Sequence, residues 1–347
     1  MTPDIAAILA VDGLGAGAIY GLIAIGLVLI FTVTRVIFVP FGDIAAFAAL
    51  SLAALEEKRL PGTAGLVLTL AVAATCVEVC SQRRRGWRRA ILGALPPYLL
   101  APALPVAFAA ALAPLGPPAP VRVALAIALV LPIAPLLDRL VFRPIAEGGA
   151  LLLLIVAVAL HFALAGLGLA FFGPEGARTE PFLDLSLTFG DVTISGQTLL
   201  IVAAAILASA ALYAFFRFAL LGKALAAVAM NRTGARLMGI RPQRAGAIAY
   251  LAGSLLAGVS GVLIAPVDTI FYDSGFLLGL KAFVAAILGG LVSYPLAALG
   301  ALLVGQLESF AAFQSSAFKD VIVFALLVPV LLWRSRLGDT PEEDVEE

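Results

Sequence analysis

The chain has 347 residues, 62% of them hydrophobic and 13% charged, with 22 basic and 22 acidic residues and a net charge of zero. Its mean hydropathy is +1.10. A soluble domain is nearer half apolar and a quarter charged, so the composition argues for a polytopic helical membrane protein. The apolar runs are long and continuous rather than short and alternating, which argues against a β-barrel.

The first residues, MTPDIAAILAVDG, lack a basic region and a small-residue cleavage site. They read as the lead-in to a retained helix rather than a cleaved signal peptide. About twenty apolar residues cross a hydrocarbon core. Spans are expected near 8–33, 41–56, 62–80, 90–113, 121–138, 150–172, 196–216, 245–265, 277–293, 295–313 and 318–333. The spans 277–293 and 295–313 are short enough to be re-entrant. The expected fold is therefore all-α, a polytopic transmembrane bundle of about ten to eleven spans.

Cys76 and Cys80 sit four apart on one helix and share a face. Two thiols are too few for a structural metal and one helix turn is poor disulfide geometry, so packing is the favoured role. His161 lies in mid-span with no carboxylate or second ligand nearby in sequence. A hydrogen-bonded packing role is favoured over proton or substrate handling.

Positive charge orients the bundle. With the N-terminus outside and the C-terminus inside, most of the 22 basic residues face the cytoplasm, including Arg83–Arg85, Arg88, Arg89, Arg139, Arg143, Arg217 and Arg334. Two acidic loops, 173–196 and 267–276, then lie outside. Alternation from Phe182 to Ile194 around Gly190–Asp191 suggests a small external β-hairpin. Asp138, Arg139 and Arg143 are expected at the inner face, with the arginines snorkelling to headgroups. The acidic tail 338–347 is expected to be disordered.

The longest inner segment, 218–244, contains an Ala-rich stretch from Lys223 to Met238 that favours helix. Gly239 then ends it and Pro242 resists continuation, so one short helix bounded by Gly222 and Gly239 is expected. No Walker motif, HExxH or GxSxG is present, and the arginines follow the topology rather than a nucleic-acid footprint. Neither an enzyme, a cofactor, a metal site nor nucleic-acid binding is expected.

Leu280–Ser309 places a lysine, two glycines, a Ser-x-Pro break and Glu308 inside lipid-like sequence. Unpaired backbone in hydrocarbon costs several kcal/mol, so a broken helix survives only within protein or beside water. Ionisable residues at such depth mark a candidate pathway. Gly42, Asp43, Phe283, Gly289, Gly290, Ser293, Pro295 and Glu308 are the candidate lining residues. The glycines serve helix contact at least as readily. Glu308 can equally cap a helix or pair with Lys281 or Lys319.

Several segments together resemble the permease subunits of high-affinity branched-chain amino acid ABC transporters. They are GAIYGLIAIGLVLIF at 17–31, DRLVFRP at 138–144, the Lys281–Glu308 pattern and KDVIVFALL at 319–327. The resemblance implies one permease domain over 1–337, from which 62–113 departs as what looks like an inserted pair of spans around the basic Arg83–Arg89 loop. It implies that 218–244 is a coupling loop seated on an ATPase, with Lys223, Asn231, Arg232, Arg236, Gly239 and Arg241 as contact candidates. It further implies separate ABC ATPase subunits, a second permease subunit (identical or different), an extracytoplasmic solute-binding protein, a surrounding lipid membrane and alternating access. Two departures stand out. The family's Asn-x-x-His-Gly-Glu segment is here FVPFGD at 38–43, which keeps only Gly42 and an acid, Asp43. The coupling loop also lacks the usual acidic residue near Met230–Asn231. The alternative reading is a secondary transporter or channel for a small solute such as urea or an amide, which would prefer ionisable residues paired across spans.

Overall fold

The computed structural model describes residues 2–81, 87–146, 148–189, 192–325, 328–330 and 332. The helices are α1 (Pro3–Thr34), α2 (Phe41–Glu56), α3 (Gly62–Ser81), α4 (Trp87–Leu95), α5 (Ala101–Leu112), α6 (Ala119–Val130), α7 (Ile133–Leu137) and α8 (Ala150–Phe172). A hairpin of β1 (Ser186–Phe189) and β2 (Val192–Ser195) follows. Then come α9 (Gly196–Phe218), α10 (Leu220–Met230), α11 (Arg232–Leu237), α12 (Pro242–Ile264), α13 (Gly275–Leu288), α14 (Tyr294–Gln314) and α15 (Lys319–Ala325).

Among the described residues, eight helical stretches are long and apolar enough to cross a membrane, fewer than expected. The shortfall falls on three segments. Helix α2 has 16 residues and α13 has 14. At 1.5 Å per residue, α13 reaches only about 21 Å of a core about 30 Å thick. The last expected span is described mainly as α15. Much of the remainder, with Arg334, Arg336 and the 338–347 tail, lies outside the described residues, as does the basic turn at 82–86.

Helix α1 is the hub, packing on α14, α12, α13 and α9. It is apolar on every side, which suits a helix buried on every side, and the run Ala18–Ile30 is buried throughout. Against α14 it packs through glycines. A Cβ on Gly305 would lie 2.3 Å from the Gly17 nitrogen, so only glycine permits this approach. Gln306 Nε2 and Ser309 Oγ donate to the Ala10 and Leu9 carbonyls, each at 2.8 Å.

After α1 the chain turns back through a left-handed Arg35 (φ 62°) and the buried Val36 and Phe38. Helix α2 then starts inside the bundle, with the Phe41 ring against Gly26 of α1 and Gly253 of α12. Regularity breaks twice without ending the stretch. Pro96–Leu100, which opens with two prolines, and Asp138–Phe142 are wide π turns.

Of α3, α4 and α5, α3 packs on α2, α5 and α8. Cys76 and Cys80 share a face as expected, but that face is exposed rather than packed within the chain. The hairpin pairs Ser186 with Ser195 through Phe189 with Val192. Its Gly190–Asp191 turn lies outside the described residues. An isolated bridge joins Ala177 to Ile270, tying the two acidic loops together.

Candidate functional site

The segment between α9 and α12 is two helices rather than the single one expected. Asn231 leaves helical geometry (φ −151°) and its Oδ1 accepts from the Gly234 N–H at 2.7 Å, capping α11. Asparagine favours such caps because its side chain replaces a lost backbone partner. At the far end Gly239 adopts φ 81°, and the Gly239 and Ile240 N–H groups donate back to Arg236 and Ala235. Pro242 begins α12 where a missing N–H costs nothing.

A small core of Val33, Leu225, Val228, Ala235, Ala245 and Ala249 seats this elbow on the ends of α1 and α12. Lys223, Asn231, Arg232, Arg236, Gly239 and Arg241 are all exposed on it. Met230, Leu237 and Met238 are 87%, 84% and 83% exposed beside them. The sequence reading missed these three. Their signal was present as large apolar residues interrupting a basic, solvated loop.

The candidate pathway residues separate into three places. Gly42 is packing, since a Cβ there would sit 2.0 Å from the Gly275 carbonyl oxygen. That contact brings the first turns of α2 and α13 together inside the bundle. Asp43 lies in this first turn, where a helix favours negative charge. It is fully buried, with its carboxylate oxygens 2.9 and 3.0 Å from His161 Nδ1. A carboxylate only accepts, so Nδ1 carries the hydrogen. Phe276 of α13 stacks on the imidazole with centroids 4.6 Å apart. The sequence neighbourhood of His161 held no carboxylate, but the fold supplies one from 118 positions away.

Glu308 forms a second cluster. It accepts from Tyr20 Oη and from Lys281 Nζ, each at 2.5 Å, and Lys281 also reaches Asp320 at 2.9 Å. Of the two lysines open to it, Glu308 takes Lys281. Phe283 is half-buried against the core. Gly289, Gly290, Ser293 and Pro295 form the turn joining α13 and α14. Gly289 packs on Ala297, Gly290 adopts φ 75°, and Ser293 and Pro295 start α14.

The arginines expected at the inner face do not all snorkel. Arg143 pairs with Asp138 at 2.7 Å, and Arg139 pairs with Glu78 of α3. Buried or half-buried charges are held by partners because leaving one alone is costly. Beside them lies a cavity of about 440 Å³, lined by Thr34, Asp138, Arg143, Arg232, Arg236 and Tyr250, among others.

Comparison with known proteins bears on the whole chain. The family described as branched-chain amino acid transport system / permease component matches residues 9–331. The high-affinity branched-chain amino acid transport system permease protein BraD of Pseudomonas aeruginosa is 34% identical over 205 residues, covering 57% of this chain and 67% of that protein. The corresponding permease LivH of Escherichia coli is 32% identical over 203 residues, covering 56% and 66%. LivH of Salmonella typhimurium gives the same figures. The chain thus spans about two thirds of the length of the relatives it matches. No solved structure matches.

Proposed function

On the premise that the chain belongs to the family of branched-chain amino acid transport system permease components, we propose that it is the membrane subunit of an ATP-binding cassette importer. Its cargo is a branched-chain or related small amphipathic amino acid. As a family member with several long apolar helices, it is a multi-pass inner-membrane permease.

ATP hydrolysis falls to separate ATPase subunits, which dock on the α10–α11 elbow. A second permease and an extracytoplasmic binding protein complete the assembly, the latter meeting the acidic loops around Glu175–Glu180 and Asp268–Asp273. Closure of the ATPases pushes the elbow and shifts the bundle between outward- and inward-open states. The observation that carries the reading is the elbow itself. Three large apolar side chains stand almost fully exposed on a capped, independently cored element that also presents the basic candidates. Exposed apolar clusters rimmed by charge mark protein interaction sites.

The test is uptake by vesicles holding this chain, its partner permease and the ATPases. Leucine uptake is expected to require ATP and the binding protein together. Full uptake without the ATPases would sink the importer reading.

One observation favours the alternative of a gradient-driven transporter or channel. Ionisable residues do pair across helices, as Asp43–His161 and Lys281–Glu308. That reading expects flux under an ion gradient alone, with ATPases absent, and loss of that flux in His161→Asn.

A further inference from the structure

The cavity beneath α11 has a use that transport does not require of it. Its walls bring together the inner end of α1 (Thr34), the Asp138–Phe142 turn with Arg143, the helix α11 (Arg232, Arg236) and the first turns of α12. Among the described lining residues three arginines face one aspartate, and Asp138 is already paired with Arg143 at 2.7 Å. Arg232 has its Nη2 3.5 Å from the Thr34 carbonyl, and neither it nor Arg236 has an ion-pair partner among the described residues. Partial burial first, then the adjacent Arg236 and Arg35 guanidiniums, push Arg232 below its ordinary value. A guanidinium stays charged regardless, so an anion suits this cluster.

One further feature points the same way. The 23-residue α12 starts at the cavity wall with Pro242 and Gln243, so its positive end faces the space. Tyr250, fully buried on the same helix, also lines it.

We infer that this cavity binds one phosphate group, carried by an anionic phospholipid headgroup or by free phosphate. Basic pockets between helices on the cytoplasmic side are suited to such headgroups. The bound group ties α11 to α1 and α12 through Arg232, Arg236 and the α12 N-terminus. This goes beyond the permease reading and does not depend on it, because it concerns the purified chain without ATPases or cargo.

The experiment uses the full-length chain, delipidated in neutral detergent. Retained lipid is counted by native mass spectrometry, and melting temperature is followed on adding phosphatidylglycerol, phosphatidylcholine or inorganic phosphate. One tightly held phosphatidylglycerol and a rise in melting temperature absent with phosphatidylcholine are expected. Protection by millimolar phosphate alone would identify the free ion as the source. Arg236→Gln, at an exposed position, is expected to weaken binding about tenfold and the Arg232→Gln/Arg236→Gln pair further. Arg244→Gln, a cation at the same end but outside the cavity lining, is expected to bind as the parent does. The lipid-free melting temperature of each variant reports whether it is folded. Binding of neither anion, unchanged binding in the folded Arg236→Gln protein, or an equal loss in Arg244→Gln would overturn the inference.

Discussion

Single residues here are governed by the cost of burying charge. Asp43 is tolerable inside the bundle because His161 Nδ1 lies within hydrogen-bond distance of both its oxygens, since leaving a buried charge uncompensated is costly. His161→Ala is therefore expected to destabilise the chain by about 3–5 kcal/mol. Combining Asp43→Asn with His161→Leu should recover most of that loss. Thermal unfolding in detergent checks both, and an additive double loss would contradict the pairing. The pair was illegible in the sequence because its partners lie on α2 and α8, joined only by the fold. Asp43 alone was visible as an acid following Gly42. Lys281 with Glu308 was legible as one of two options, since both fall within one short stretch, but the Tyr20 hydroxyl that completes the cluster comes from α1. Glu78 and Arg139 show the same limit. Periodicity places a charge along a helix, but not the neighbouring helix that neutralises it.

Helices were the most legible elements, because long apolar runs have only one way to satisfy their backbone in lipid. The exceptions are instructive. The break between the expected spans 8–33 and 41–56 falls where the chain turns at a left-handed Arg35, but the burial of that turn, with Phe38 inside the bundle, was not legible. The split of the elbow at Asn231 was equally hidden, although asparagine in an Ala-rich stretch is a cap signal. Asn231→Ala is expected to cost α11 about 1 kcal/mol. Gly239→Ala forces a Cβ into left-handed geometry at about 1–2 kcal/mol. Both should lower the transport-coupled ATPase rate of the assembled complex while its global melting temperature moves by a few degrees at most. An unchanged rate in both would argue against the elbow as the coupling element.

At the scale of the whole molecule, charge placement is the argument for orientation, and it is testable without cargo. In a Cys76→Ala/Cys80→Ala background, Leu237→Cys should react with a membrane-impermeant maleimide only from the cytoplasmic side. Glu175→Cys should react only from outside, and the reverse pattern would invert the bundle. The glycine contact between α1 and α14 has a mechanical consequence. Backbones that touch with no intervening side chains leave no slack, because every sliding step would drive atoms into one another. Those two helices therefore behave as a single welded beam. Helix α9, with few buried residues and joined to the elbow at an extended Ala219, has no such weld. The elbow meets that beam directly at Val33, so a displacement of the elbow bears on a rigid element there and on a yielding one at α9.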